Sequence, residues 1–330
     1  MTVLVVSSRV HATRGAQLSA FAREAGHDLT LLTLPADPEA RLTASECASI
    51  DLAFFSGDLY PGSSRQFFST VRKAPGLKWL HVSNAGVDHP IYAEMQQRGA
   101  RLTTSVGATA EPIAQTAIAG MLMLGRGFPH WLAGQQKKSW EPLRGAAAPR
   151  DMRGQQVVVV GRGHIGKNIA RLASALGMKV TGIRRSPKRD DDPCDRVCPP
   201  SELRSLLPQT DWLVLACPLT PETKNLVDAE MLAALPKGSR LVNIARGEVV
   251  DEPALIASLQ SGHLGGAYLD VFVKEPLPAE SPLWDLPNVI VTPHNSATSS
   301  GNEERVFQLF RDNLGRWFRG EPLVNEVAAP

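Results

Sequence analysis

An uninterrupted apolar run, Val157-Val158-Val159-Val160, leads straight into Gly161-Arg162-Gly163-His164-Ile165-Gly166, and this junction constrains the fold more than any other stretch of the chain. A G-x-G-x-x-G between a buried strand and a helix gives each glycine a task. The first turns the chain tightly, the second lets backbone approach a pyrophosphate, and the third lets helix and strand pack closely. The first N–H groups of the helix and the positive end of its dipole then favour an anion. Ile165, Ile169, Leu172, Ala173 and Leu176 recur at helical spacing, so a helix packed on a sheet is predicted after the loop.

The same alternation of apolar strand and helix runs through the rest of the chain, as in parallel sheets covered on both faces. Val3 to Val6, Leu29 to Leu32, Leu52 to Phe55 and Leu77 to Val82 predict one sheet, with a helix over Gly15 to Ala25. A second sheet begins at Val157 and continues through Lys179-Val180-Thr181, Trp212 to Leu215, Arg240 to Asn243, Gly266 to Leu269 and Val289 to Val291. Ala110 to Arg126 predicts a buried connecting helix, and Phe128 to Pro149 an arm or long loop. Val306, Leu309, Phe310, Leu314 and Trp317 form one stripe of an amphipathic helix over Asn302 to Phe318. At 330 residues the chain is long enough for two domains.

In folds of this kind an acidic residue usually ends the second strand and holds the ribose hydroxyls of the adenosine. Here Lys179-Val180-Thr181-Gly182-Ile183 ends in Arg184-Arg185-Ser186-Pro187-Lys188-Arg189. Guanidinium groups grip a ribose 2'-phosphate through charge-assisted hydrogen bonds, so NADP(H) is expected ahead of NAD(H). The competing explanation is a solvated basic loop balanced by Asp190-Asp191-Asp192.

Three further residues follow apolar strands of the second sheet: Arg246, Glu275 and His294. Ligands of doubly wound sheets bind outside the carboxyl ends of the strands, where residues far apart in sequence converge. An Arg anchors a carboxylate in fork geometry, and a His exchanges a proton near neutrality. A neighbouring Glu orients the imidazole ring and favours its charged form. Together they suit proton transfer to a carbonyl beside hydride transfer.

These pieces resemble the D-isomer-specific 2-hydroxyacid dehydrogenases. Besides the glycine loop, the resemblance rests on Pro218-Leu219-Thr220-Pro221-Glu222-Thr223, Val242-Asn243-Ile244-Ala245-Arg246-Gly247, Leu269-Asp270-Val271-Phe272 with Glu275-Pro276-Leu277, and Asn288 to His294. It implies Arg246 as substrate anchor, His294 as acid/base and Glu275 as its partner. Cofactor contacts are implied at Gly161, Gly163, His164, Ile165 and Gly166, and at Arg184 and Arg185. Cys217, Pro218, Ile244, Ala245 and Asp270 complete that set, Asp270 near the nicotinamide amide. Ala85-Gly86-Val87-Asp88 matches the loop whose backbone N–H groups receive the substrate carboxylate.

The implied architecture is two doubly wound α/β domains. A Rossmann nucleotide domain, residues 105–296, is inserted into a flavodoxin-like substrate domain made of 1–104 and 297–330. The chain departs from the family pattern at Arg184, where the usual acid is missing, and at Gln115, where a Glu is usual. The expected reaction is reduction of glyoxylate or hydroxypyruvate by NADPH. An NAD-linked D-lactate or formate type of dehydrogenase and a dinucleotide-sensing corepressor or scaffold stay open as alternatives.

A balance of 35 basic against 33 acidic residues argues against nucleic acid as a partner. No basic leader or spanning run is present, so no membrane partner is expected. Four sparse cysteines fit a reducing cytoplasm. Cys194 and Cys198 lie between prolines with no His nearby, so no metal is expected there. Trp131, Trp140 and Trp284 suit half-wet contacts over a cleft or between protomers of a homodimer.

Overall fold

Short apolar strands build two separate parallel sheets, one in each of two units. The computed structural model describes residues 1–87, 89–186 and 192–328. Its units are Met1–Thr109 with Ser299–Pro330, and Ala110–Thr298.

In the first unit, β1 (Thr2–Val6), β2 (Leu29–Thr33), β3 (Leu52–Phe55), β4 (Trp79–Val82) and β5 (Arg101–Thr104) lie in the order β2-β1-β3-β4-β5. Successive side chains of a strand point to opposite faces. Val5, Ala53, Phe55, Leu80 and Val82 therefore enter one core, while Leu4, Val6, Leu52, Phe54 and Trp79 enter the other. The helix Asn302–Phe318 closes the second core, with Phe310 stacked on Phe54 at 4.2 Å between ring centroids. The first helix spans Ser8–Glu24 and starts earlier than its apolar pattern suggests, because the Ser7 hydroxyl caps it by accepting from the Val10 N–H at 3.0 Å.

The second unit opens with the helix Ala110–Arg126. A Cβ at Gly120 would meet the Tyr268 ring at 2.5 Å, so this glycine lets the helix lie directly on the sheet. Seven strands follow: β6 (Gln156–Val160), β7 (Lys179–Ile183), β8 (Arg196–Cys198), β9 (Trp212–Leu215), β10 (Arg240–Asn243), β11 (Gly266–Leu269) and β12 (Val289–Val291). They pair in the order β12-β11-β10-β9-β6-β7-β8, which reverses between β6 and β9. Such a reversal opens a crevice at the carboxyl ends of the strands.

Two expectations change. Phe128–Lys137 is a helix rather than a loop, set off from its predecessor by Gly127 at φ +82° and begun with a proline in its first turn. The fourth strand starts at Trp79 rather than Leu77. Among the described residues, no helix is long and apolar enough to cross a membrane.

Candidate active site

The glycine loop of the second unit has three distinct geometries. Gly161 sits at φ +92°, and a Cβ there would lie 2.5 Å from the Cys217 nitrogen. A Cβ at Gly166 would press into the Gly161 carbonyl, so the third glycine seats the helix on the loop itself as well as on the Val159 side chain. A Cβ at Gly163 would meet nothing within 4 Å. This middle glycine caps the helix His164–Ala175, whose first turn holds no acidic residue. His164 is exposed, and Ile165 is half-buried against the core.

At the end of β7, Arg185 is exposed, whereas Arg184 turns inward. Arg184 Nη2 lies 2.8 Å from Asp192 Oδ2, and its Nε donates to the Ser186 carbonyl at 2.8 Å. The other Asp192 oxygen lies 2.7 Å from Nη2 of Arg162, a member of the glycine loop. Lys188, Arg189, Asp190 and Asp191 lie outside the described residues.

Cys217 and Pro218 follow β9. Cys217 is buried, which pushes its thiol up to about 11, so it is protonated at neutral pH and suits packing rather than attack. Pro218 is exposed. After β10, Ile244 and Ala245 are buried, and Asn243 clamps the turn that presents Arg246. Its Nδ2 donates to the Arg246 carbonyl at 2.9 Å, and its Oδ1 accepts from the Ala245 N–H at 3.0 Å. Arg246 Nη1 donates to the Ala245 carbonyl at 2.7 Å. Any side chain on Gly247 would strike the backbone of Phe272 and Val273. Close approach at this glycine thus joins the Arg246 turn to the segment after β11 that carries Glu275.

Glu275 uses both carboxylate oxygens. Oε1 accepts from the Phe272 N–H at 3.0 Å, and Oε2 lies 2.8 Å from Nδ1 of His294. A carboxylate only accepts, so Nδ1 carries the hydrogen and Nε2 is left for proton exchange. His294 adopts φ +50°, a left-handed conformation that costs energy in a residue with a Cβ. Asp270, 1% exposed, organises the loop that imposes it. Its Oδ1 accepts from the Thr292 hydroxyl at 2.6 Å and the Asn295 N–H at 2.9 Å, and its Oδ2 from the Ser296 hydroxyl at 2.5 Å. Arg246, Glu275 and His294 thus follow three adjacent parallel strands, at the same end of the sheet as the glycine loop.

Ala85 and Gly86 belong to the first unit, in the turn after β4. Ala85 is exposed, and the Asn84 side chain donates to the Gly86 carbonyl. Asp88 lies outside the described residues. Among the described residues, no group of three His, Cys, Asp or Glu side chains is arranged to hold a metal. Sequence reasoning missed Asn243 and the loop-ordering role of Asp270; it named Asp192 only within the acidic run set against the basic loop, and here Asp192 pairs with Arg184 of that loop. Of the two missed, only Asn243 carries a local signal, a polar residue closing an apolar strand just before a turn.

Comparison with known proteins places these features in context. Residues 118–296 match the family model described as D-isomer specific 2-hydroxyacid dehydrogenase, NAD binding domain. The chain is 35% identical over 250 residues to the (S)-sulfolactate dehydrogenase of Chromohalobacter salexigens, a match covering 74% of this chain and 79% of that protein. It is 32% identical over 258 residues to the glyoxylate reductase of Korarchaeum cryptofilum, covering 77% of each. The crystal structure of the NADPH-dependent glyoxylate/hydroxypyruvate reductase of Sinorhizobium meliloti, in complex with NADP and sulfate, matches with a TM-score of 0.75. Their identity is 29%, over 99% of this chain and 98% of that one.

Proposed function

The chain belongs to the D-isomer specific 2-hydroxyacid dehydrogenase family, an NAD(P)-dependent oxidoreductase, and on that premise we propose that it reduces glyoxylate or hydroxypyruvate with NADPH. The observation that carries this reading is the Glu275–His294 pair at 2.8 Å, on a loop ordered by buried Asp270. Substrate is taken by a domain of residues 1–104 with 297–330, through the backbone of Ala85 and Gly86, and the dinucleotide by a domain of residues 105–296. Arg246 anchors the carboxylate and polarises the carbonyl. His294 delivers the proton to the carbonyl oxygen from Nε2, and Glu275 holds the ring in the tautomer that permits it.

The residues of the glycine loop fit a dinucleotide. Open space beside Gly163 and a helix start without acidic residues suit a pyrophosphate. When bound, the reduced nicotinamide supplies the hydride. Ile165, Cys217, Pro218, Ile244 and Ala245 are the residues we assign to the dinucleotide, with Asp270 toward the nicotinamide amide. Arg184 and Arg185 favour the phosphorylated dinucleotide, with NADH as the weaker donor.

A homodimer completes the proposal. Phe128, Trp131 and Leu132 are exposed on one short helix, and Trp140, just beyond it, is 94% exposed, an apolar surface suited to a second copy. The cytoplasm is the proposed setting, since all four cysteines are buried free thiols.

The test is NADPH and NADH oxidation across a panel of 2-oxo acids. Turnover of glyoxylate or hydroxypyruvate, faster with NADPH, is the expected result. Turnover of pyruvate with NADH alone would replace this reading with an NAD-linked lactate type. Dinucleotide binding without any turnover would favour a sensing role.

A further inference from the structure

We propose that Asp192 is a specificity-determining residue that restrains the preference for NADPH by occupying Arg184. The inference rests on the reading above that the adenosine ribose of a dinucleotide lies at the end of β7.

One carboxylate ties two arginines together. Asp192 Oδ1 is 2.7 Å from Arg162 Nη2, and Oδ2 is 2.8 Å from Arg184 Nη2. The side chains are buried, with 2% of Asp192, 0% of Arg162 and 13% of Arg184 exposed. Arg162 occupies the variable position between the first two loop glycines. Its stem lies over Gly182 of β7, where a Cβ would meet Arg162 Cδ at 2.7 Å, and its Nη1 is 2.9 Å from Cys194 Sγ. The triad therefore links the glycine loop to the strand end where the ribose is expected.

This arrangement alters what the basic run can do. The Nε and Nη2 groups of Arg184 are already donated to Ser186 and Asp192, so a 2'-phosphate has to compete for its fork. The Asp192 carboxylate also repels that phosphate. Both effects favour the unphosphorylated dinucleotide. The carboxylate that holds Arg184 comes from a position eight residues later in the chain. Exposed Arg185 is left as the freer phosphate contact.

The experiment measures dissociation constants of NADPH and NADH by fluorescence, and of 2'-phospho-ADP-ribose and ADP-ribose by calorimetry, with no 2-oxo acid present. Asp192→Asn should raise the preference for the phosphorylated ligand about tenfold in both pairs. That substitution leaves two guanidinium groups together in a buried place, so a double variant, Arg162→Met with Asp192→Asn, removes the pair at once and should move the preference in the same direction. A preference unchanged within twofold, or one that falls, in a folded variant overturns the proposal. Wild-type protein that binds none of the four ligands overturns the dinucleotide reading itself, a result distinct from an unmoved ratio.

Discussion

Nδ1 of His294 lies 2.8 Å from Oε2 of Glu275, although the two residues follow different strands and His294 must adopt φ +50° to reach that position. The strained backbone is held by Asp270, which accepts from Thr292, Asn295 and Ser296 on either side of the histidine. A hydrogen-bonded pair this exposed contributes little stability. Its worth lies in fixing the tautomer and aim of the ring.

Glu275→Gln keeps a hydrogen-bonding group at that place but removes the charge. Turnover should fall roughly a hundredfold, the lower end of what positioned acid–base groups contribute, with a smaller change in KM for the oxo acid. Steady-state kinetics at saturating dinucleotide measures it. Turnover at the wild-type level would reduce the pair to a surface contact.

Arg246→Lys preserves charge and loses the planar fork. Because Asn243 clamps the turn through the Arg246 carbonyl rather than its side chain, the backbone should stay in place. KM for the oxo acid should rise and kcat should fall together. If only the constant for the dinucleotide moved, Arg246 would be a nucleotide ligand instead.

His81 gives a pH dependence of stability independent of catalysis. It is buried between Thr103 and Ser105, at 2.7 and 3.1 Å, and burial drives its pKa down to about 3. Unfolded, it titrates near 6.5. Above that pH both states are neutral and the full stability is present. Between about 6.5 and 3 only the unfolded chain takes up the proton, so stability is lost as pH falls, by about 1.4 kcal/mol per pH unit. Urea midpoints at pH 7 and pH 5 should show wild type losing about 2 kcal/mol more than His81→Gln. Parallel losses in the two proteins would contradict the assignment.

What the sequence made legible follows from which forces act locally. Buried strands such as Val157 to Val160 declare themselves because both faces of a parallel sheet are covered. Arg246, Glu275 and His294 could be grouped because a doubly wound sheet gathers its carboxyl ends. The strand Arg196–Cys198 went unread, being three residues long at a sheet edge with a charged first residue. Phe128–Lys137 looked like a loop because only Gly134 of that helix is buried, so no apolar stripe betrays it. The acidic run that includes Asp192 could be set against the nearby basic run by charge alone, but its contact with Arg162 of the glycine loop, and those of Asp270 with the His294 loop, arise only when segments far apart in sequence meet, and no spacing rule reports them.

The central claim is that His294 supplies the proton as a 2-oxo acid is reduced. The most direct test compares kcat for glyoxylate or hydroxypyruvate reduction, followed by NADPH absorbance, in wild type and His294→Ala, with NADPH affinity measured on both. A fall in kcat of roughly two to four orders of magnitude with dinucleotide affinity retained is the predicted result. A His294→Ala enzyme that turns over at close to the wild-type rate would contradict it.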